Sequence, residues 1–240
     1  MRSNSPLILV FSTARRLQYF TRTLSSLVLR NPDLCEFIHR VYILDDRSSM
    51  EDREAMRLMV GRIFGPALVH LITFDDESDW GYVRKLNFLR PLTVNGAYTL
   101  FLEDDWECTE ALDLKSHLQL LHGSKVDLVT FSENLSIQPE TERESQLVDN
   151  LYWQNPWPQS FRHTEGISDT GWILWTDISI RHFSLNPCLA KARVWSENEF
   201  VLEQGYEFKF AEANNFLQYF TLDPKFVHIG QQSLERRHSG

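Results

Sequence analysis

A buried apolar run, Tyr98-Thr-Leu-Phe-Leu102, passes with no turn residue into three successive carboxylates, Glu103, Asp104 and Asp105. Adjacent carboxylates repel one another and resist leaving water. Such a cluster is stable where a cation lies among them, or where the strand end opens into solvent. The same acid-ended pattern recurs at Asp45-Asp46 and at Asp75-Asp76, and Arg15, Arg16, Arg84 and Lys85 fall in the loops and helix starts that lead to one shared edge. Acids that hold a divalent ion, beside bases that meet phosphate, are what a metal-bridged diphosphate requires, and a nucleotide-sugar fits that demand. Neither G-x-x-x-x-G-K-[ST] nor G-x-G-x-x-G occurs, and ten glycines leave little for a glycine-rich phosphate cradle.

The elements that would position these groups alternate strand and helix. Leu7-Ile-Leu-Val-Phe11, Val41-Tyr-Ile-Leu44, Leu68 to Phe74, Tyr98 to Leu102 and Asp127 to Phe131 read as strands of the continuous apolar type. Between them lie helical faces: Leu17, Phe20, Leu24, Leu27 and Val28; then Met56, Met59, Val60 and Ile63 behind a capping-box spacing at Ser48 and Glu51; then about Val83 to Arg90, closed by Pro91. Ala111, Leu114, Leu118 and Leu121 mark a further helix stopped at Gly123, with His117 and His122 on its exposed side. This order predicts an α/β fold with a doubly wound, mainly parallel sheet, in which ligands sit at the carboxyl ends of the strands. Beyond Ser132 the chain is polar and loop-like to Gly166. A strand at Gly171 to Thr176, a helix from Ser196 to about Asn214 and a closing strand at Phe226 to Ile229 are expected after it. One continuous domain over 1–240 is the simplest organisation, with a nucleotide-type half to about 131 and an acceptor-type half after it.

Composition narrows the function class. With 42% hydrophobic and 24% charged residues the chain reads as a globular protein, and its net charge of −9 opposes binding to nucleic acid. Cys35, Cys108 and Cys188 are odd in number and widely spaced, which predicts free thiols in a reducing, cytoplasmic setting. The apolar run from Pro6 to Phe11 is too short for a signal segment, and no run approaches the ~20 apolar residues of a membrane span.

Taken together, Val10-Phe-Ser-Thr-Ala-Arg-Arg16, Leu44-Asp-Asp-Arg-Ser48, Arg84-Lys-Leu-Asn87 and Glu103-Asp-Asp105 resemble the successive motifs of GT-A glycosyltransferases of the family 2 type. Phe183 to Pro187, Ser196-Glu-Asn-Glu199 and Val227-His-Ile-Gly230 are similar to that family's acceptor-side segment, acidic helix start and closing histidine. The likeness spans roughly residues 7 to 230. It implies a transferase that moves a sugar from a nucleoside diphosphate donor, UDP-linked by expectation, to a hydroxyl of a glycan or other acceptor, using Mn²⁺ or Mg²⁺. Carried over by residue, it implies that Asp46 meets the nucleobase, with Asp45 structural beside it. Thr13 and Arg15 would line the nucleotide pocket, Lys85 would approach the diphosphate, and Glu103 would be a ribose or outer contact beside Asp104. Asp105 and His228 become the metal ligands. An inverting reaction needs a general base, for which Glu197 and Glu199 compete, Asn198 standing where the family often has an Asp.

Plainer roles stand beside these. Asp46 could cap the turn before the Ser48 helix, Glu199 could close a capping box with Ser196, which favours Glu197 as base, and Lys85 and Arg84 could be solvated helix-face charges. His228 could be a satisfied core histidine, and Trp153, Trp157 and Trp172 could be core or could stack on a sugar. Two other functions share features with the pattern. A sugar-phosphate nucleotidyltransferase would want a glycine-rich turn where Ser12-Thr-Ala-Arg-Arg16 has none, and a catalytically silent carbohydrate-binding domain would ignore nucleotide and metal.

Overall fold

The computed structural model describes residues 6–75, 81–93, 97–131, 171–175, 186–196, 216–221 and 225–230. Its first half is β1 (Leu7–Thr13), α1 (Leu17–Arg30), a short α2 (Leu34–Phe37), β2 (Ile38–Asp46), α3 (Met50–Phe64), β3 (Val69–Phe74), α4 (Gly81–Leu92) and β4 (Tyr98–Glu103). There follow β5 (Trp106–Cys108), α5 (Leu114–Gly123), β6 (Leu128–Thr130), β7 (Gly171–Trp175), β8 (Cys188–Ala190), α6 (Ala192–Ser196), β9 (Leu217–Thr221) and β10 (Phe226–His228).

Eight strands form one sheet in the order β3-β2-β1-β4-β8-β6-β9-β7, and β5 and β10 make a separate antiparallel pair. β1, β2, β3 and β4 run parallel, as do β6 and β9, while β8 and β7 are antiparallel to their neighbours. Helices cover both faces of the parallel part, which is why its strands are apolar throughout. Leu7, Leu9, Phe11, Val41, Ile43, Leu100 and Leu102 pack with Phe20, Leu24 and Leu27 of α1 and Met56 and Val60 of α3. The alternate residues Ile8, Val10, Tyr42, Leu44 and Phe101 pack with Val83, Leu86 and Leu89 of α4 and with Trp195 of α6. Strand periodicity of two sends neighbours to opposite layers.

Several local expectations are corrected. The cap of α3 is Ser49, whose hydroxyl accepts from the Asp52 amide at 3.1 Å, so the predicted Ser48–Glu51 box is displaced by one residue. Helix α4 runs past Pro91, which fits in the last turn. His117 is not on an exposed face: it is fully buried against Phe131 and Tyr219, because the apolar stripe of α5 is wider than the spacing suggested. Ser196 is the last residue of the described helix α6 and so is helical where a capping box needs a non-helical residue. The expected helix to Asn214, with Glu197 and Glu199, lies outside the described residues, as do Trp153 and Trp157. The short strands β5, β8 and β9 add to the elements that the sequence predicts.

Candidate active site

The carboxyl ends of β1, β2 and β4 meet at one edge of the sheet, and the register aligns Ser12 of β1 with Leu44 on one side and Glu103 on the other. Strand alternation then divides the acids. Asp45 follows Val41 and Ile43 into the α3 layer. There it is fully buried, accepting from Nε of Arg53 at 2.7 Å and from the Ser48 amide at 3.1 Å. Arg53 also pairs with Asp75, so that acid serves the α3 layer too. Asp46 follows Tyr42 and Leu44 into the α4 layer, is only partly buried, and accepts from Nε of Arg47 at 2.9 Å. Asp46 is therefore the acid that faces the edge, and Asp45 is structural.

Glu103 projects into the same α4 layer. The side-chain oxygen of Asn186 holds its amide at 3.1 Å, and the Asn186 NH₂ group donates to the Tyr82 hydroxyl at 3.0 Å. Burial and, after it, the neighbouring Asp105 push its carboxyl up to about 7 against the hydrogen bond from Tyr82 and the charge of Lys85. Glu103 therefore gives up its proton less readily than a free carboxyl does. Lys85 is 3% exposed, so it is not a solvated helix charge. Its ammonium donates to the Thr13 carbonyl at 3.1 Å and lies 5.8 Å from the centre of the Tyr82 ring. Burial lowers its pKa, opposed by Asp46, Glu103, Asp104 and Asp45.

Asp104 turns the other way, under the β1–α1 turn. One carboxylate oxygen accepts from the Thr13 hydroxyl at 2.7 Å and the Ala14 amide at 3.2 Å, and its carbonyl accepts from Thr23 at 2.7 Å. Its other oxygen lies 2.6 Å from Nη2 of Arg16. Burial raises the Asp104 pKa against the pull of Arg16 and Thr13. The Thr13 hydroxyl is spent on this contact, which makes Thr13 a support of the acid triplet. Arg15 is exposed at the turn itself, with a left-handed backbone (φ 54) fixed by its amide donating to Ser48 Oγ at 2.9 Å. Arg47, in the neighbouring β2–α3 turn, is left-handed as well (φ 61). Such backbones in non-glycine residues cost about 1–3 kcal/mol and cluster at functional sites.

Asp105 leaves the strand and is read by three elements. Oδ2 accepts from Nη1 of Arg16 at 2.6 Å and lies 3.3 Å from Nε2 of His228. The His228 ring sits 4.8 Å from that of Trp106, so the β5–β10 pair is what carries this histidine to the acid. Gly230 makes room for it: a Cβ there would meet Oδ2 at 2.3 Å. Oδ1 of Asp105 is buried and has no hydrogen-bond partner. A divalent cation suits that orphaned oxygen, with His228 beside it. Among the described residues, however, no group of three or more His, Cys, Asp or Glu is arranged to hold one. On the protein side such a site would rest on Asp105 Oδ1, with the His228 ring beside that carboxylate.

The structure therefore gathers Asp46, Lys85, Glu103, Asp104, Asp105 and His228 at one edge with Thr13 and Arg15. Arg16, Tyr82, Asn186 and Gly230 belong to the same constellation. Of these, Arg16 has a single signal in the sequence, an arginine doublet in a chain with three successive acids.

No protein-family model and no curated protein matches the chain. Two solved structures of S. aureus TarS match over 90% of it at 14% identity, with TM-scores of 0.54 and 0.55; the second is a complex with UDP. The chain spans 36% and 60% of those TarS chains. The galactosyltransferase LgtC, solved with donor and acceptor sugar analogs, matches 88% of this chain and 67% of its own at 14% identity and a TM-score of 0.49. The shared property is the fold, and the chain has the mixed α/β GT-A architecture of glycosyltransferases. Among the described residues no helix is long and apolar enough to cross a membrane.

Proposed function

We propose that the protein transfers a sugar from a nucleoside diphosphate sugar to a hydroxyl acceptor. The observation that carries this reading is Lys85. Its buried ammonium has one described hydrogen bond, to Thr13, and lies in the field of Asp46, Glu103, Asp104 and Asp45, between the acid that suits a nucleobase and the acids that suit a metal. The fold is matched by a TarS structure that holds UDP, which supports a uridine donor.

In this mechanism Asp46 accepts the imide N–H of the base, Arg15 lines the pocket and Lys85 meets the diphosphate with its remaining donors. Glu103, fixed by Tyr82 and Asn186, faces the ribose side. Asp104 keeps the turn and Arg16 in place. Asp105 and His228 would hold Mn²⁺ or Mg²⁺, which would neutralise charge on the leaving diphosphate. The acceptor is a glycan or another hydroxyl compound, and Glu197 or Glu199 takes its proton in an inverting transfer. With Ser196 helical, capping no longer favours Glu197 over Glu199. Conversion of the base to Gln should lower kcat by ~10²–10⁴-fold with UDP affinity unchanged, and full turnover in both Glu197→Gln and Glu199→Gln removes these two acids from the chemistry. The three thiols are free, which suits a cytoplasmic enzyme.

Thermal shift with UDP, dTDP and GDP, each with and without Mn²⁺, tests the whole reading. A ligand at 100 times its Kd stabilises by about 2.7 kcal/mol. UDP and dTDP should stabilise more than GDP, and only with metal to full extent. No response to any nucleotide refutes nucleotide-sugar transfer, and preference for GDP refutes the pairing of Asp46 with a pyrimidine.

A further inference from the structure

Arg16 binds two successive carboxylates at once. Nη1 donates to Asp105 Oδ2 and Nη2 contacts Asp104 Oδ1, both at 2.6 Å. Burial opposes the charge of this side chain, but Asp104 and Asp105 more than offset it and hold its pKa above the ordinary value. Asp104 is immobile under Thr13, Ala14 and Thr23, so it anchors the guanidinium. Both Asp104 oxygens are engaged, Oδ1 by Arg16 and Oδ2 by Thr13 and Ala14, whereas Asp105 Oδ1 is buried without a hydrogen-bond partner. A planar guanidinium spanning both groups is a fixed positive charge held on Oδ2 of the same carboxylate whose Oδ1 is suited to a metal.

We propose that Arg16 is the resident counter-cation of this site and sets its affinity for divalent metal. Without nucleotide, Arg16 already neutralises Asp105 and repels an incoming ion, so metal binds weakly. A bound diphosphate adds negative charge on the open side and reverses that balance, so metal and nucleotide strengthen one another by the same factor. The diphosphate half of this statement rests on the function proposed above, whereas the opposition between Arg16 and metal does not.

The test is a titration of nucleotide-free protein with Mn²⁺, read by the electron paramagnetic resonance of the free ion. Wild type should bind weakly. Arg16→Gln should bind Mn²⁺ ~10-fold or more tightly than wild type, because removing a unit charge a few ångströms from a partly buried ion changes its binding by at least that factor. Arg16→Lys, which keeps the charge, should stay close to wild type, and Asp105→Asn placed in Arg16→Gln should abolish the gain. Arg16→Met provides a second neutral variant, and circular dichroism verifies that each is folded. Equal or weaker Mn²⁺ binding in a folded neutral variant overturns the proposal. So does a wild type that binds UDP yet takes up Mn²⁺ equally well with and without it, a measurement that needs no variant. If UDP fails to bind at all, the donor assignment falls, while the comparison of wild type with Arg16→Gln still decides the role of Arg16.

Discussion

Gly230→Ala is the smallest perturbation that should disturb the acid cluster, and the structure supplies its size. The new Cβ would stand 2.3 Å from Oδ2, 3.0 Å from Cγ and 3.1 Å from Cβ of Asp105. Rotating the carboxylate relieves the first two contacts and leaves the third. Rotation also takes Oδ2 away from Arg16 and His228. The backbones cannot separate cheaply, since the Ile229 amide donates to the Asp105 carbonyl at 2.8 Å and His228 pairs with Trp106 across the β5–β10 ladder. Overpacking in such a setting costs about 1–3 kcal/mol. For a protein of this size 2 kcal/mol corresponds to a Tm lower by roughly 4–8 °C. Because the clash is mostly with Cγ and Oδ2, Asp105→Ala removes most of it. Denaturant unfolding of the wild type, both single variants and the double variant should therefore give a coupling of about 1–2 kcal/mol, with the double variant more stable than the sum of the singles. Additivity within about 0.5 kcal/mol would refute the reasoning, because it would mean that Gly230 and Asp105 do not share the space the structure assigns to them.

Three further outcomes are expected. Asp105→Ala should abolish the Mn²⁺ enhancement of UDP binding in thermal shift while the apo protein keeps its circular dichroism; an unchanged enhancement places the metal elsewhere. Arg53→Met leaves Asp45 fully buried without its cation and should cost about 3–5 kcal/mol in denaturant unfolding, so a loss under about 1 kcal/mol would show that the Ser48 amide alone satisfies the acid. Ellman's reagent at pH 8 should label one thiol, the exposed Cys35, in the native protein. Cys188 is buried and Cys108 is held protonated by burial, its thiol pushed up to about 11, so both should appear only on unfolding.

The parts of this site that depend on local rules could be read in advance, and the parts that depend on distant contacts could not. Leu7 to Phe11, Val41 to Leu44 and Tyr98 to Leu102 are apolar throughout because helices cover both faces, and acids follow them because parallel strands end at one edge. The same alternation separates Asp45 from Asp46: two neighbouring acids in a strand must enter opposite layers, so one meets Arg53 and the other the edge. Three-residue strands such as β8 are too short to show a period, and β8 is inserted antiparallel between β4 and β6, an order that no local pattern encodes. Arg16 illustrates the limit most sharply. Three acids in a row demand a positive neighbour, and local chemistry is equally content with a metal ion or an arginine. Which of them holds the acids is decided by where the chain places residue 16 relative to residue 105, a separation of 89 positions closed only by the β1–β4 register. The turn after β1 delivers the guanidinium to Asp104 and Asp105, so part of the charge that the acids require is supplied from within the fold.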